Sequence, residues 1–195
     1  PTDGILHFSS ASVPFDRNRM FSTLLRDREG DLWLGAFDAG YHISFCPEEL
    51  SGHSLPFIKE TLGFDTNINC MYEDEGGVLW FNQERNGIGL YAPDSGTYNL
   101  HPYSQKRNVE VNLIARSRFP NTVWIASAFV PTVFRAQRQG MDIRFTDTLL
   151  LAHDGAETGH VTGILEDPAG RLWVMTERKL FVFKPDGHPL AAVTN

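Results

Sequence analysis

The four tryptophans of the chain, Trp33, Trp80, Trp124 and Trp173, lie 47, 44 and 49 residues apart. Near-even spacing of so large a side chain marks an internal repeat. A period of roughly 40 to 50 residues is the length of one supersecondary unit that must stack on copies of itself to bury its apolar face. The neighbourhoods agree. Ahead of each Trp is an apolar stretch with a polar exit: "MFSTLLRD" (20–27), "NINCMYED" (67–74), "VNLIARSR" (111–118) and "HVTGILED" (160–167). Three of these end in an aspartate three residues before a glycine: Asp27 with Gly30, Asp74 with Gly77 and Asp167 with Gly170. The third repeat has "RFPNT" instead, with Asn121 in the place of the glycine.

An Asp carboxylate can accept backbone N–H groups across a tight turn, and Gly or Asn adopts the left-handed conformation that a reversal needs. Asp27, Asp74 and Asp167, with Gly30, Gly77 and Gly170, are therefore assigned to hairpin turns rather than to catalysis or metal binding. After the turn, "LWLGAF", "LWFNQ", "VWIASAF" and "LWVMTE" are apolar on successive positions, the pattern of a strand covered on both faces. A third strand follows in "YHISFC", "IGLYAP", "TVFRAQ" and "LFVFKP". Three repeats have room for a fourth, in "SLPFIKETL" (54–62), "TYNLHPY" (97–103) and "DIRFTDTLL" (142–150). The last repeat is expected to lack one, since the chain stops soon after "HPLAAVTN", while "GILHFSS" (4–10) is a spare strand before the first repeat.

Sixteen short strands in four groups, with no amphipathic helical pattern, predict an all-β fold, a β-propeller of four blades with four antiparallel strands each. The blades are expected at about 20–62, 67–103, 111–150 and 160–184, strand 4–10 belonging to a preceding blade or completing the last one. Trp33, Trp80, Trp124 and Trp173 would fill the gaps between neighbouring blades, each ring burying of order 150 to 250 Å². Four blades close into a small ring or form an arc of a larger propeller. An arc leaves two apolar faces open to a second copy or to another domain.

The run of apolar strand, Asp-x-x-Gly-x-Leu-Trp and an aromatic-rich strand closing at Pro-Asp-x-Gly resembles the two-component regulator propeller repeat. "LLRDREGDLWLGAF", "MYEDEGGVLWFN…GIGLYAPDSGTY" and "ILEDPAGRLWVMTERKLFVFKPDG" carry the resemblance, and the repeat around Trp124 is degenerate. The resemblance implies the extracytoplasmic, periplasmic sensor of a hybrid histidine kinase of the Bacteroidetes type, responding to a glycan or other small solute. It also implies that the signalling chemistry resides outside these residues.

The composition narrows the partners. A net charge of -7 with scattered Lys and Arg disfavours nucleic acid, whose binding needs clustered cations to displace counterions. No apolar stretch approaches the roughly 20 residues of a membrane span, so direct membrane insertion is not expected. The chain begins at Pro1, which suggests an excised or processed segment. Cys46 and Cys70 form neither a disulfide framework nor a zinc set, and each is read first as a free buried thiol.

Several motifs are decoys. "GIGLYA" (87–92) fits the glycine fingerprint of dinucleotide sites, but a strand follows it where a helix is required, and Pro93 ends that strand. "DTNINC" (65–70) begins like a calcium loop, yet Cys70 stands where glycine is needed and Gly76 where glutamate is needed. The seven histidines show no zinc spacing, and no Ser-centred nucleophile elbow is present. The Asp box of sialidases sets Asp and Gly two apart, whereas here they are three apart. No cofactor, metal or catalytic residue is assigned.

Antiparallel order places the Asp-Gly hairpins on one rim of a propeller and the loops joining second to third strands on the other. Those loops are "AFDAG" (36–40), "QERNG" (83–87), "SAFVP" (127–131) and "TERK" (176–179). Their Phe37, Asp38, Glu84, Arg85, Asn86, Phe129, Glu177 and Arg178 are the candidate ligand-binding residues, aromatic platforms beside groups that bond hydroxyls. The loops between blades add Arg17, Arg19, Lys106 and Arg107 to the same rim. Three function classes follow: a non-enzymatic sensor, a propeller lyase or glycoside hydrolase using Glu84 and Glu177 as acid and base, and a protein–protein interaction scaffold or homodimer.

Overall fold

A computed structural model describes residues 20–36, 39–45, 50–54, 67–83, 87–102, 111–127, 131–151 and 158–194. They form sixteen strands in four separate antiparallel sheets, and within each sheet strands adjacent in sequence are adjacent in space. The first sheet holds β1 (Phe21–Arg26), β2 (Leu32–Ala36), β3 (Ala39–Phe45) and β4 (Leu50–Ser54). The second holds β5 (Met71–Glu73), β6 (Leu79–Gln83), β7 (Gly87–Ala92) and β8 (Thr97–Pro102). The third holds β9 (Val111–Arg116), β10 (Thr122–Ser127), β11 (Thr132–Gln139) and β12 (Asp142–Leu150). The fourth holds β13 (Val161–Glu166), β14 (Leu172–Thr176), β15 (Lys179–Phe183) and β16 (Pro189–Thr194). A single 3-10 turn, Pro93–Ser95, is the one helical element among the described residues. The molecule is a β-propeller.

Two expectations are corrected. The last sheet does have a fourth strand, since β16 pairs along β15 from Phe183↔Pro189 to Lys179↔Thr194. The "PDGH" turn, with Gly187 at φ 83°, folds the chain straight back, and the ladder overrides the weak β-propensity of an alanine-rich segment. The fourth strand of the first sheet is Leu50–Ser54, earlier than the apolar 54–62 stretch expected for it. Its register starts at Phe45↔Leu50, so the hairpin sets the pairing rather than the apolar content. Residues 55–62 lie outside the described residues, as does strand 4–10.

The sheets stack through three apolar layers, each made of one sheet's Trp and the strand starts of the next. Trp33 packs with Ile68, Leu79 and Phe81. Trp80 packs with Val111, Val123 and Ile125. Trp124 packs with Val161, Leu172 and Val174. The residues flanking each Trp point to the opposite face of their strand, which is why the second strands are buried on both sides. The three indoles are 2%, 0% and 5% exposed, whereas around the half-buried Trp173 of the last sheet Leu165 and Met175 are 64% and 49% exposed. That face has no following sheet among the described residues.

At the hairpins, Gly30, Gly77 and Gly170 take φ of 97°, 75° and 80°, and Asn121 takes φ 52° in the degenerate repeat. These are left-handed values that side-chain-bearing residues other than Asn and Asp rarely adopt. Cys70 is buried and unbridged, and burial pushes its thiol up to about 12. Cys46 lies outside the described residues.

The stacking gives a graded expectation. Trp80→Ala is expected to cost about 3–5 kcal/mol, read as a fall in the urea midpoint, and Trp173→Ala less than half as much, because only one side of its ring is covered. Equal losses at the two positions would contradict the layer arrangement.

Candidate functional site

The hairpin aspartates each perform two tasks. Asp27 accepts the Asp31 N–H at one oxygen (2.8 Å) and the Trp33 indole N–H at the other (2.7 Å). Asp74 accepts Gly76 and Val78 N–H at 2.9 and 3.2 Å and the Trp80 indole at 2.9 Å. Asp167 accepts the Arg171 N–H at 2.9 Å and the Trp173 indole at 3.0 Å. The indole bond was not anticipated from sequence, although Asp and Trp stand six residues apart in all three repeats. In the degenerate repeat Ser117 holds the position of the aspartate. The Trp124 indole instead donates to Glu166 of the next sheet at 2.7 Å, and the same oxygen accepts the Ser117 hydroxyl at 2.8 Å.

At Asp74 and Asp167 these bonds favour the ionised carboxylate. Asp167 is lowered to about 2, by the Trp173 indole first and, against an upward push from burial, by the backbone N–H and guanidinium of Arg171. At Asp74 burial pushes upward, but the Arg138 guanidinium at 2.6 and 3.1 Å, the Trp80 indole and the Val78 N–H outweigh it, and the net shift is downward. A carboxyl so held cannot store a proton near neutrality for general acid work. Asp27, Asp31 and His42 bring one ligand atom each within 4.8 Å of one another. Asp31 and the His42 ring nitrogen already meet at 2.9 Å, and His42 stacks on Trp33 with centroids 4.2 Å apart.

On the opposite rim, Phe37, Asp38, Glu84, Arg85, Asn86 and Phe129 lie outside the described residues. So do the loop cations Arg17, Arg19, Lys106 and Arg107. Glu177 and Arg178 are exposed in the turn between β14 and β15. Glu177 accepts the His160 N–H at 3.3 Å while its own N–H donates to the His160 carbonyl at 3.0 Å. The second-to-third-strand turn and the segment entering β13 therefore meet at one rim, as antiparallel order requires. Arg178 donates its N–H to the Thr176 hydroxyl at 3.3 Å.

Beneath this rim lies a shelf of buried polar side chains that the sequence reading did not single out. Gln83, Ser127 and Thr176 each stand three residues after a Trp and are 0%, 1% and 5% exposed. Asn82 is also fully buried: its carbonyl oxygen accepts the Asn69 and Cys70 N–H at 2.7 and 2.9 Å, but its Nδ2 has no partner among the described residues. Gln83 donates to the Tyr98 hydroxyl at 2.8 Å, and its Oε1 has no partner among the described residues. The available signal was the abrupt change from apolar to amide inside a doubly covered strand, "LWFNQ". Side chains buried there need hydrogen bonds, and two amide atoms at the end of β6 lack them among the described residues.

Residues 155–178 match the family described as two component regulator propeller. Among curated proteins no sequence matches the chain. Among solved structures, the extracellular domain ascribed to the hybrid two component system BT4673 of B. thetaiotaomicron superimposes with a TM-score of 0.65 at 17% identity, over 91% of this chain and 22% of that one. The corresponding domain of BT3049 from the same organism gives 0.64 at 19% identity, over 91% and 23%. A gluconolactonase of Xanthomonas campestris gives 0.62 at 16% identity, over 90% and 62%. The chain thus spans about a fifth of the length of the two signalling domains, and at these identities the likeness is one of fold.

The lowered carboxylates set a pH dependence. Asp167 falls from an ordinary 3.8 to about 2 on folding, so its contribution to stability is fully present above about pH 4 and is lost as pH falls through about 2. The urea midpoint is expected to drop across that window. In Asp167→Asn it should start lower at neutral pH and fall less steeply. A wild-type profile flat between pH 4 and 2 would refute the role given to the indole and Arg171 bonds.

Proposed function

For a propeller bearing the two-component regulator repeat at residues 155–178, we propose a role in the extracytoplasmic sensor of a two-component signalling system, as a segment that binds a small hydroxyl-rich solute of the glycan class without turning it over. The repeat match on a propeller fold carries this reading. The periplasmic placement is supported by fold likeness to extracellular domains of hybrid two component systems. No helix among the described residues is long and apolar enough to cross a membrane.

The ligand is assigned to the rim opposite the hairpins. The hairpin carboxylates have their lone pairs engaged by indole, guanidinium and backbone N–H groups. On the opposite rim Asn82 Nδ2 is a donor and Gln83 Oε1 an acceptor without a partner among the described residues, and both directly precede Glu84, Arg85 and Asn86 in sequence. Consecutive on β6, the two amides face opposite sides of that strand, so each can bond a different hydroxyl of a hydroxyl-rich solute, and aromatic residues of the neighbouring loops, Phe37 and Phe129, would stack on it. A buried, unpaired amide also favours a ligand that supplies the missing bonds over one that does not.

The fold likeness to a gluconolactonase favours a second reading, a propeller enzyme acting on a sugar derivative. Of the two acids that reading requires, Glu177 already accepts a backbone N–H from His160.

Calorimetry of the chain against a panel of oligosaccharides, with product analysis of the same mixtures, separates the readings. Binding without product is expected, weakened about tenfold or more by Gln83→Leu. Turnover abolished by Glu84→Gln or Glu177→Gln would replace the sensor reading with the enzymatic one. Failure of the intact parent ectodomain to bind any sugar or other small solute would end the sensing proposal.

A further inference from the structure

The second sheet departs from the other three at one cross-strand pair. In those three, the residue after the Trp faces an aromatic side chain on the third strand: Leu34 pairs with Tyr41, Ile125 with Phe134 and Val174 with Phe181. In the second sheet the order is exchanged, and Phe81 on β6 faces Gly89 on β7. The next residue on the same face of β6, Gln83, faces Gly87, so β7 is bare along that stretch. These are the glycines of the "GIGLYA" segment, whose spacing imitates a dinucleotide site. Neither position has room for a side chain. A Cβ at Gly89 would stand 2.5 Å from the Phe81 ring, and one at Gly87 would collide with the His101 carbonyl of β8.

The bare strand lets an outer residue reach an inner one. Tyr98 on β8 is two strands away from Gln83, and both it and Phe81 belong to the apolar layer around Trp33. The Tyr98 and Phe81 rings stack with centroids 6.2 Å apart, and the Tyr98 hydroxyl accepts the Gln83 amide N–H at 2.8 Å. Burial raises the Tyr98 hydroxyl above its ordinary value, so the amide is joined to a neutral hydroxyl. The residues equivalent to Gln83 in the other sheets are short, Ala36, Ser127 and Thr176. The arrangement is therefore peculiar to one sheet and is no part of the repeat that stacks the sheets.

We infer that Tyr98 is a positioning residue of the proposed solute site: it holds the Gln83 amide nitrogen, leaves Oε1 for the ligand, and so selects a ligand group that donates a hydrogen bond. This rests on the reading of a solute site at this rim and narrows its ligand to a neutral polyol. A hydroxyl can donate to Gln83 Oε1, and another hydroxyl's oxygen can accept from Asn82 Nδ2, whose own Oδ1 is taken by the Asn69 and Cys70 N–H groups. An ether oxygen or a carboxylate only accepts and cannot satisfy Oε1. Gly87, Gly89 and Phe81 act through Tyr98, by keeping its path across β7 open.

Two measurements on the full chain, with folding checked by circular dichroism and melting, test this. In the ligand-free, isotope-labelled protein the NMR signal of the Gln83 side-chain amide is assigned by its loss in Gln83→Leu. Tyr98→Phe keeps the ring and removes the hydroxyl, and is expected to shift that signal to the position of an unbonded amide. Tyr72→Phe, which removes a hydroxyl elsewhere in the sheet, should leave it in place. An unmoved signal in Tyr98→Phe overturns the inference whether or not a sugar binds. Calorimetry then compares neutral oligosaccharides with their mono-O-methyl ethers. One ether is expected to bind wild type about tenfold more weakly than its parent, or worse. In Tyr98→Phe the amide can turn its nitrogen toward the ether oxygen, and the penalty should shrink to about threefold or less. Sugar binding with no penalised ether, or a penalty that Tyr98→Phe leaves intact, overturns the inference and leaves the sensor reading standing. If no oligosaccharide binds, the narrowed ligand class is overturned, and the NMR signal alone decides the Tyr98 contact.

Discussion

The bond from an indole N–H to a hairpin carboxylate is the interaction on which the stack depends. A tryptophan between two sheets removes of order 150–250 Å² from water, worth roughly 4–6 kcal/mol, but it brings a polar N–H into the same dry layer. Left unpaired, that N–H would cancel about 1–3 kcal/mol of the gain. Placing Asp six residues upstream satisfies the indole, and the second carboxylate oxygen closes the turn that returns the chain to the Trp strand. Turn geometry and interface packing are thereby coupled through one side chain. The degenerate repeat shows that the requirement is the carboxylate rather than its place in the sequence: Ser117 cannot accept from Trp124 in the same way, and Glu166 does so from the adjacent sheet.

That substitution changes what the third junction is made of. In the first two repeats the indole bond is local to one sheet, and the charged pair across the junction is a separate contact. In the third, Glu166 serves Trp124, Ser117 and Arg118 together, with its side chain only 3% exposed. Removing it would leave a buried indole, a hydroxyl and a guanidinium without partners at once, so the third and fourth sheets are joined more cooperatively than the others. Repeat arrays draw their stability from nearest-neighbour interfaces, and this junction concentrates its polar share in a single residue.

The fold was legible because its period is written in large, sparse residues. Tryptophan spacing, the Asp-x-x-Gly turns and the doubly apolar second strands locate the sheets, since each feature answers a steric or solvation demand local to a few residues. What the sequence concealed was of two kinds. Edge strands such as Leu50–Ser54 and Pro189–Thr194 are placed by backbone pairing and turn register, so their composition carries little signal. Contacts between repeats, such as Arg138 to Asp74 or Arg118 to Glu166, join residues 64 and 48 positions apart and have no local pattern. Of the rim residues assigned from sequence, Glu177 and Arg178 fall within the described structure, and the buried amides below them escaped notice because a single polar residue at the end of a strand reads as the start of a loop.

Among the described residues the two rims differ in how completely their polar groups are satisfied, and the proposed ligand site follows from this difference rather than from residue type. Acidic and basic side chains are dense on the hairpin side, where a search for chemistry would begin, but their partners are the turns and the neighbouring sheets. On the opposite side Asn82 and Gln83 each leave one amide atom without a partner among the described residues, inside a sheet whose strands are well paired. An array of this kind can tolerate such a deficit where a ligand from outside makes it good, because the layers that hold the sheets together lie below and are complete without it. Contacts between sheets occupy the hairpin end of the strands and the proposed solute site the other end, with the Trp layer between them.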